Sequence, residues 1–202
     1  MEKKYRLLEN DTITVGGRTL YRVEALRDFA DVKKGEKGGY IESEANLSQK
    51  DDCWVCGDAW VCDDAWVSGK AKVSGKAKVC DNAEVCGNAV VSDDAWVSGN
   101  ADVCGNAVVC GSAEVCGSAE VCDNAVVSVN ADYYVGKNVW SSGRYFTYTR
   151  SNRMWRVGCF YGTSEELIRK AYQDSDVSGR EYKRVVEYVE AMYADLENDK
   201  SK

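Results

Sequence analysis

The chain has 202 residues, 45% of them hydrophobic, and a formal net charge of -7. That suffices for a core in one or two domains, and no stretch approaches the roughly 18 continuous apolar residues of a membrane-crossing helix. The charged start MEKKYRLLEND lacks the apolar run of a secretory signal, so a soluble, cytoplasmic protein without a membrane partner is expected.

Residues 1–40 read as an N-terminal β cap. TITV and RTLYRV alternate apolar and polar residues around Gly16-Gly17, a two-residue hairpin signal. A charged, glycine-containing turn then leads through KGEKGGYIES to Ile41 and Leu47, which stand six residues apart. After a short insertion in SQKDD, one hexapeptide recurs thirteen times from Val55 to Val127: Val-(Cys/Ser)-(Gly/Asp)-x-Ala-x. Its Ala-x-Val part has the period of a strand, with Ala and Val on one face and the residue between them on the other. The three residues that follow are turn formers, so each hexapeptide is a short strand plus a corner.

Eight of the ten cysteines occupy one slot of the repeat and alternate there with serine. A slot that accepts either residue asks for a small side chain, not a bond. Histidine is absent, and the single CxxC, Cys53 to Cys56, has no second pair, so no metal and no cofactor is expected. Proline is absent too, as suits a continuous hydrogen-bonded ladder.

This pattern resembles the hexapeptide-repeat, left-handed parallel β-helix proteins, in which three hexapeptides make a triangular coil of eighteen residues. The resemblance implies the handedness and the stacking of every eighteenth residue. With Tyr133 and Val139 holding the apolar position, the β-helix is expected over 41–140, in five to six coils. One outward column then reads Trp54, Lys72, Val90, Val108, Val126. Its apolar members are the candidate homo-oligomer interface. Another reads Trp66, Glu84, Asp102, Glu120, and residues 51–140 carry fourteen acids against five lysines. An acidic rod of this kind could mimic DNA toward a nucleic-acid enzyme.

Residues 141–202 read as an α+β segment. SSGRYFTYTRSNRMWRVGCFYG mixes arginines with aromatics and suggests two strands around Ser151-Asn152. Arg150, Arg153, Trp155 and Arg156 are the candidate ligand contacts, since guanidinium groups grip phosphate and aromatics stack on bases. Capping boxes at Thr163–Glu166 and Ser178–Glu181 predict helices over 165–173 and from there to about Leu196. KGEKGGYIESEANLS (34–48) and GCFYGTSEEL (158–167) resemble stretches of uncharacterised phage and prophage proteins, which implies a viral context and no particular activity.

Function is weighed on the same residues. Hexapeptide acyltransferases and the related carbonic anhydrases generally use histidine, which is missing, and the thirteen repeats have no inserted loop to shape an active site. No phosphate-binding GxxxxGK[ST] or nucleophile-elbow GxSxG motif is present either. The expected protein is therefore a non-enzymatic, homo-oligomeric phage-type binder of a host macromolecule or nucleotide-like ligand, with a counter-defence role in view. An acyltransferase and a structural rod or scaffold are the alternatives.

Overall fold

The computed structural model describes residues 3–199. It is mainly β: a parallel β-solenoid of about five turns, then a small antiparallel sheet and two helices. The chain falls into two compact units, one ending at Asn130 and the other starting at Ala131.

In the first unit, β1 (Tyr5–Val15) and β2 (Arg18–Ala25) form the expected hairpin, with Gly16 and Gly17 both at positive φ. Strand β3 (Lys37–Ile41) pairs antiparallel with β2 and parallel with β5 (Trp60–Val61), so the hairpin continues a solenoid sheet. The Gly-Gly before Tyr40 is a close approach. A Cβ on Gly38 would stand 2.4 Å from the carbonyl oxygen of Val55, and one on Gly39 2.4 Å from that of Ala59.

The repeat itself becomes thirteen two-residue strands, β4 (Trp54–Val55) to β16 (Val126–Val127), spaced by six. Each pairs in parallel with the strand eighteen residues away, as in Val73↔Val91↔Val109↔Val127. Val55 and every sixth residue to Val127 are fully buried, as are the alanines from Ala59 to Ala125 apart from a trace at Ala101. Identical β-branched side chains nest in such columns, and each buried valine is worth about 1.5–3 kcal/mol of apolar transfer. Ile41 is buried in the same way, and Leu47 bridges to Val67, so these two sides complete the first coil.

The Gly/Asp slot has a backbone cause. All twelve corners from Gly57 to Asp123 lie in the left-handed region, with φ between 58° and 71°. Glycine enters that region without strain, and aspartate is among the few other residues that tolerate it. An aspartate corner also accepts a hydrogen bond from the next coil: Gly99 N–H donates to Asp81 Oδ2 at 2.9 Å and Gly111 N–H to Asp93 Oδ2 at 3.0 Å. Asparagines add ladders beside the corners, Asn88 to Asn106 at 2.9 Å and Asn106 to Asn124 at 3.1 Å.

Val129 falls on the next corner, and a β-branched side chain resists the left-handed conformation. The chain leaves the repeat there, in a single 3-10 turn at Asn130–Asp132. Tyr133 and Val139 therefore do not extend the solenoid as expected. Tyr133 opens an antiparallel strand, and Val139 is 82% exposed.

At the opposite end Lys4 is fully buried. Its Nζ donates to the carbonyl oxygens of Asp51 and Cys53 at 2.8 and 2.9 Å and lies 3.5 Å from Cys53 Sγ, which ties β1 to the insertion after Leu47.

In the second unit, β17 (Tyr133–Lys137), β18 (Tyr145–Thr149), β19 (Met154–Val157) and β20 (Phe160–Gly162) form an antiparallel meander. Sequence patterning anticipates the middle pair only. Helices α1 (Ser164–Asp174) and α2 (Asp176–Asp199) follow. The Thr163 box caps α1 as expected: Glu166 N–H donates to Thr163 Oγ1 and Thr163 N–H to Glu166 Oε2. Helix α2 starts earlier than expected because Ser175 Oγ accepts the Ser178 N–H at 3.1 Å. Phe146, Tyr148, Trp155, Val157, Leu167 and Tyr182 are among the buried residues of the shared core. No described helix is long and apolar enough to cross a membrane.

Burial in the two units sets the pH response. The thiols of Cys53, Cys56, Cys62, Cys80 and Cys86 and the phenols of Tyr5, Tyr134, Tyr148, Tyr182 and Tyr193 are all pushed above their ordinary values, in each case first by burial. Cys86 reaches about 11 and Tyr193 about 12, against ordinary values of 9.0 and 10.0. Between the two values the folded chain holds protons that the unfolded chain has released, so this stability is complete below the ordinary values and lost as pH rises through the raised ones. Lys4, lowered by burial, acts in the opposite sense but is one group against ten. Thermal melts should show Tm constant near neutrality and falling from about pH 9 upward, with a shallower fall in Cys62→Ser. A Tm that rises between pH 9 and 11 would contradict this assignment.

Candidate ligand pocket

The second unit holds a cavity of about 680 Å³, within the usual range for small-molecule sites. Its lining comes from the 138–144 turn, the β19–β20 turn, α1 and the start of α2. Its apolar lining is Val157, Phe160, Leu167 and Ala171. Its polar lining comprises Arg144, Lys170, Asp174 and hydroxyls from Ser141, Ser142, Ser175, Ser178 and Tyr182.

Local folding explains how the polar lining is held. Asn138 is buried and organises the turn: its Oδ1 accepts the Ser141 N–H at 2.9 Å and its Nδ2 donates to Tyr182 Oη at 3.0 Å. Gly143 and Gly158 take positive φ in the two turns that flank the cavity. A Cβ on Gly158 would lie 3.5 Å from Arg144 Nη1, so the guanidinium rests against the residue before Cys159. The Tyr182 phenol is raised by burial, while the Asn138 hydrogen bond and the Arg144 charge pull it the other way.

Two polar groups stand ready for a ligand. Arg144 is exposed and its side chain makes no ion pair among the described residues. Ser178 is only 6% exposed, and its hydroxyl makes no hydrogen bond among the described residues. Lys170 is shared with Asp174 at 3.2 Å, an exposed pair that water and salt weaken.

The arginines singled out by sequence lie elsewhere in this unit. Arg150 and Arg153 line a second cavity of about 410 Å³ with Tyr148, Tyr193, Glu190 and Glu197. There Arg150 is already engaged, 3.2 Å from Glu197 and stacked on Tyr193 at 5.6 Å. Two carboxylates against two guanidinium groups leave little field for an anion. Trp155 is not a ligand contact in this structure, because it is fully buried, with Nε1 donating to Ser164 Oγ at 3.0 Å. Arg156 alternates with it along β19 and faces the other side of the sheet.

The candidate interface column is placed in part as expected. Val90, Val108 and Val126 stack in register on the outside of the solenoid, and Val126 is 41% exposed. Trp54 does not join them. It is buried edge-on against Phe29 at 5.3 Å and Tyr5 at 6.3 Å, and the same loop sends Asp31 to Lys72 at 2.7 Å. The acidic column Glu84, Asp102, Glu120 is likewise in register.

All ten cysteines are free thiols. At one corner column Glu42, Cys62 and Asp63, then Asp63, Cys80 and Asp81, bring their ligand-type atoms within 4.8 Å of one another. Burial pushes both thiols up, and Arg18 pairs with Asp63. Protonated thiols and a carboxylate already paired with arginine make a poor cation site. Neither the protein-family models nor the curated proteins compared with this sequence include a match.

Proposed function

We propose that this chain is a non-enzymatic binding protein whose second unit takes a small nucleotide-like anion in the 680 Å³ pocket. The observation that carries the reading is the Arg144 guanidinium, without an ion pair among the described residues, at a cavity whose lining combines apolar side chains with several hydroxyls. A phosphate would sit against Arg144, reached also by Lys170, while a base or similar flat body lies along Phe160 and Leu167. The phage-type context and the engagement of a host target belong to the same proposal and rest on the sequence resemblance. An acyltransferase is disfavoured because no histidine is present to act as base.

Isothermal titration with adenosine 5′-monophosphate tests the pocket. Arg144→Ala should weaken binding by about 10- to 100-fold, the worth of a charge-assisted hydrogen bond, with the melting temperature unchanged. Absence of binding at millimolar nucleotide, or equal binding by the variant, would remove the proposal. The outward Val90–Val108–Val126 ladder, half-buried at Val90 and Val108 and exposed at Val126, favours self-association as a second element. Native mass spectrometry on the same sample reads it directly, and a monomer at all concentrations counts against it.

A further inference from the structure

Only two of the ten cysteines are exposed, Cys116 and Cys159, and their settings are opposite in charge. Cys116 stands on a solenoid side between Glu114 and Glu120 in sequence. Cys159 lines the pocket together with Arg144, Lys170 and Asp174, whose carboxylate pairs with Lys170 and leaves a net positive charge from Arg144. The Arg144 guanidinium lies against the neighbouring Gly158, and Ser178, a residue only 6% exposed, lines the same cavity. A thiol beside a receptive anion pocket can be reached selectively by a disulfide that carries its own carboxylates.

We infer that Cys159 is a modification site for low-molecular-weight anionic disulfides of the glutathione type, and that the conjugated group occupies the pocket and excludes its ligand. The inference rests on the pocket reading above and adds its regulation. In the exchange, Cys159 gives its proton to water and its thiolate attacks one sulfur of the incoming disulfide. A bond forms between Cys159 Sγ and that sulfur. The original S–S bond breaks, and its electron pair leaves on the second sulfur, which departs as a thiolate and is then protonated. Cys159 is oxidised, one half of the reagent is reduced, and no other oxidant is needed. Arg144 and Lys170 hold the carboxylates of the bound half, which steers the reagent to this thiol and away from Cys116.

The test compares two disulfides on the whole chain: oxidised glutathione, which is anionic, and cystamine, which is cationic. Peptide mapping after brief exposure gives the labelling ratio of Cys159 to Cys116. The ratio with glutathione should exceed that with cystamine by about tenfold at low salt. Arg144→Ala should bring the two ratios within about twofold, and Lys170→Ala, as a second variant, should reduce the difference in part. The Cys159 conjugate should also lose adenosine monophosphate binding. If the ratios agree in the unmodified protein while nucleotide binding is intact, the inference is overturned and the pocket reading stands. If they agree and no nucleotide binds, both fall.

Discussion

Gly105→Ala is expected to destabilise the solenoid by about 2–5 kcal/mol, and Gly117→Ala by only about 1–2 kcal/mol. The two glycines share one backbone conformation, with φ of 67° and 70°. They differ in what lies above them. A Cβ on Gly105 would stand 2.7 Å from the amide nitrogen of Asp123 and 2.8 Å from its Cα, whereas one on Gly117 meets nothing within 4 Å. Alanine at 117 therefore shows the left-handed strain alone, and alanine at 105 adds backbone overpacking in a stack held by its neighbours. Gly105→Asn should cost less than Gly105→Ala despite its larger side chain. Its amide oxygen can accept the Asp123 N–H, as Asp81 and Asp93 accept from Gly99 and Gly111. That is why the slot contains glycine or aspartate and never alanine. Urea midpoints at constant m-value measure the series, and equal losses for alanine at 105 and 117 would refute the steric half of the argument.

The same slot shows how far the solenoid was legible in the sequence. The valine columns, the register of eighteen and the corner chemistry follow from the period, because each link of a repeat meets the same surroundings. The end of the solenoid was harder to see. Tyr133 and Val139 keep the apolar spacing, and spacing alone argues for another coil. The contrary signal is Val129, which cannot take the corner, and reading the turn slot with the same weight as the apolar slot would have found it. Strand β17 was hidden for the same reason. The pocket was barely legible, since Arg144, Lys170 and Ser178 come from a turn and two helices and share no motif. Grouping Trp155 with Arg156 overlooked a plain rule. In a strand the two point to opposite faces, and an aromatic beside an arginine is more readily its buried alternate than its partner.

Trp155→Ala should consequently act on stability and leave ligand recognition alone. The indole is fully buried, 4.9 Å from the Tyr148 ring and 6.1 Å from Phe146, and its N–H is satisfied by Ser164. Truncation leaves a cavity that the sheet and α1 cannot both close and strips Ser164 of its donor, for a loss of about 3–5 kcal/mol. Trp155→Phe keeps most of the volume and should lose roughly half as much. Chemical denaturation gives these losses. Titration with adenosine monophosphate, well below the melting temperature, then separates packing from recognition. If Trp155 serves the core, the folded fraction of Trp155→Phe binds with unchanged affinity, while Arg144→Ala loses binding at unchanged stability. If Trp155→Phe instead keeps its stability and loses the nucleotide, the indole reaches the ligand, and the binding surface moves from the Arg144 pocket to the sheet around β19.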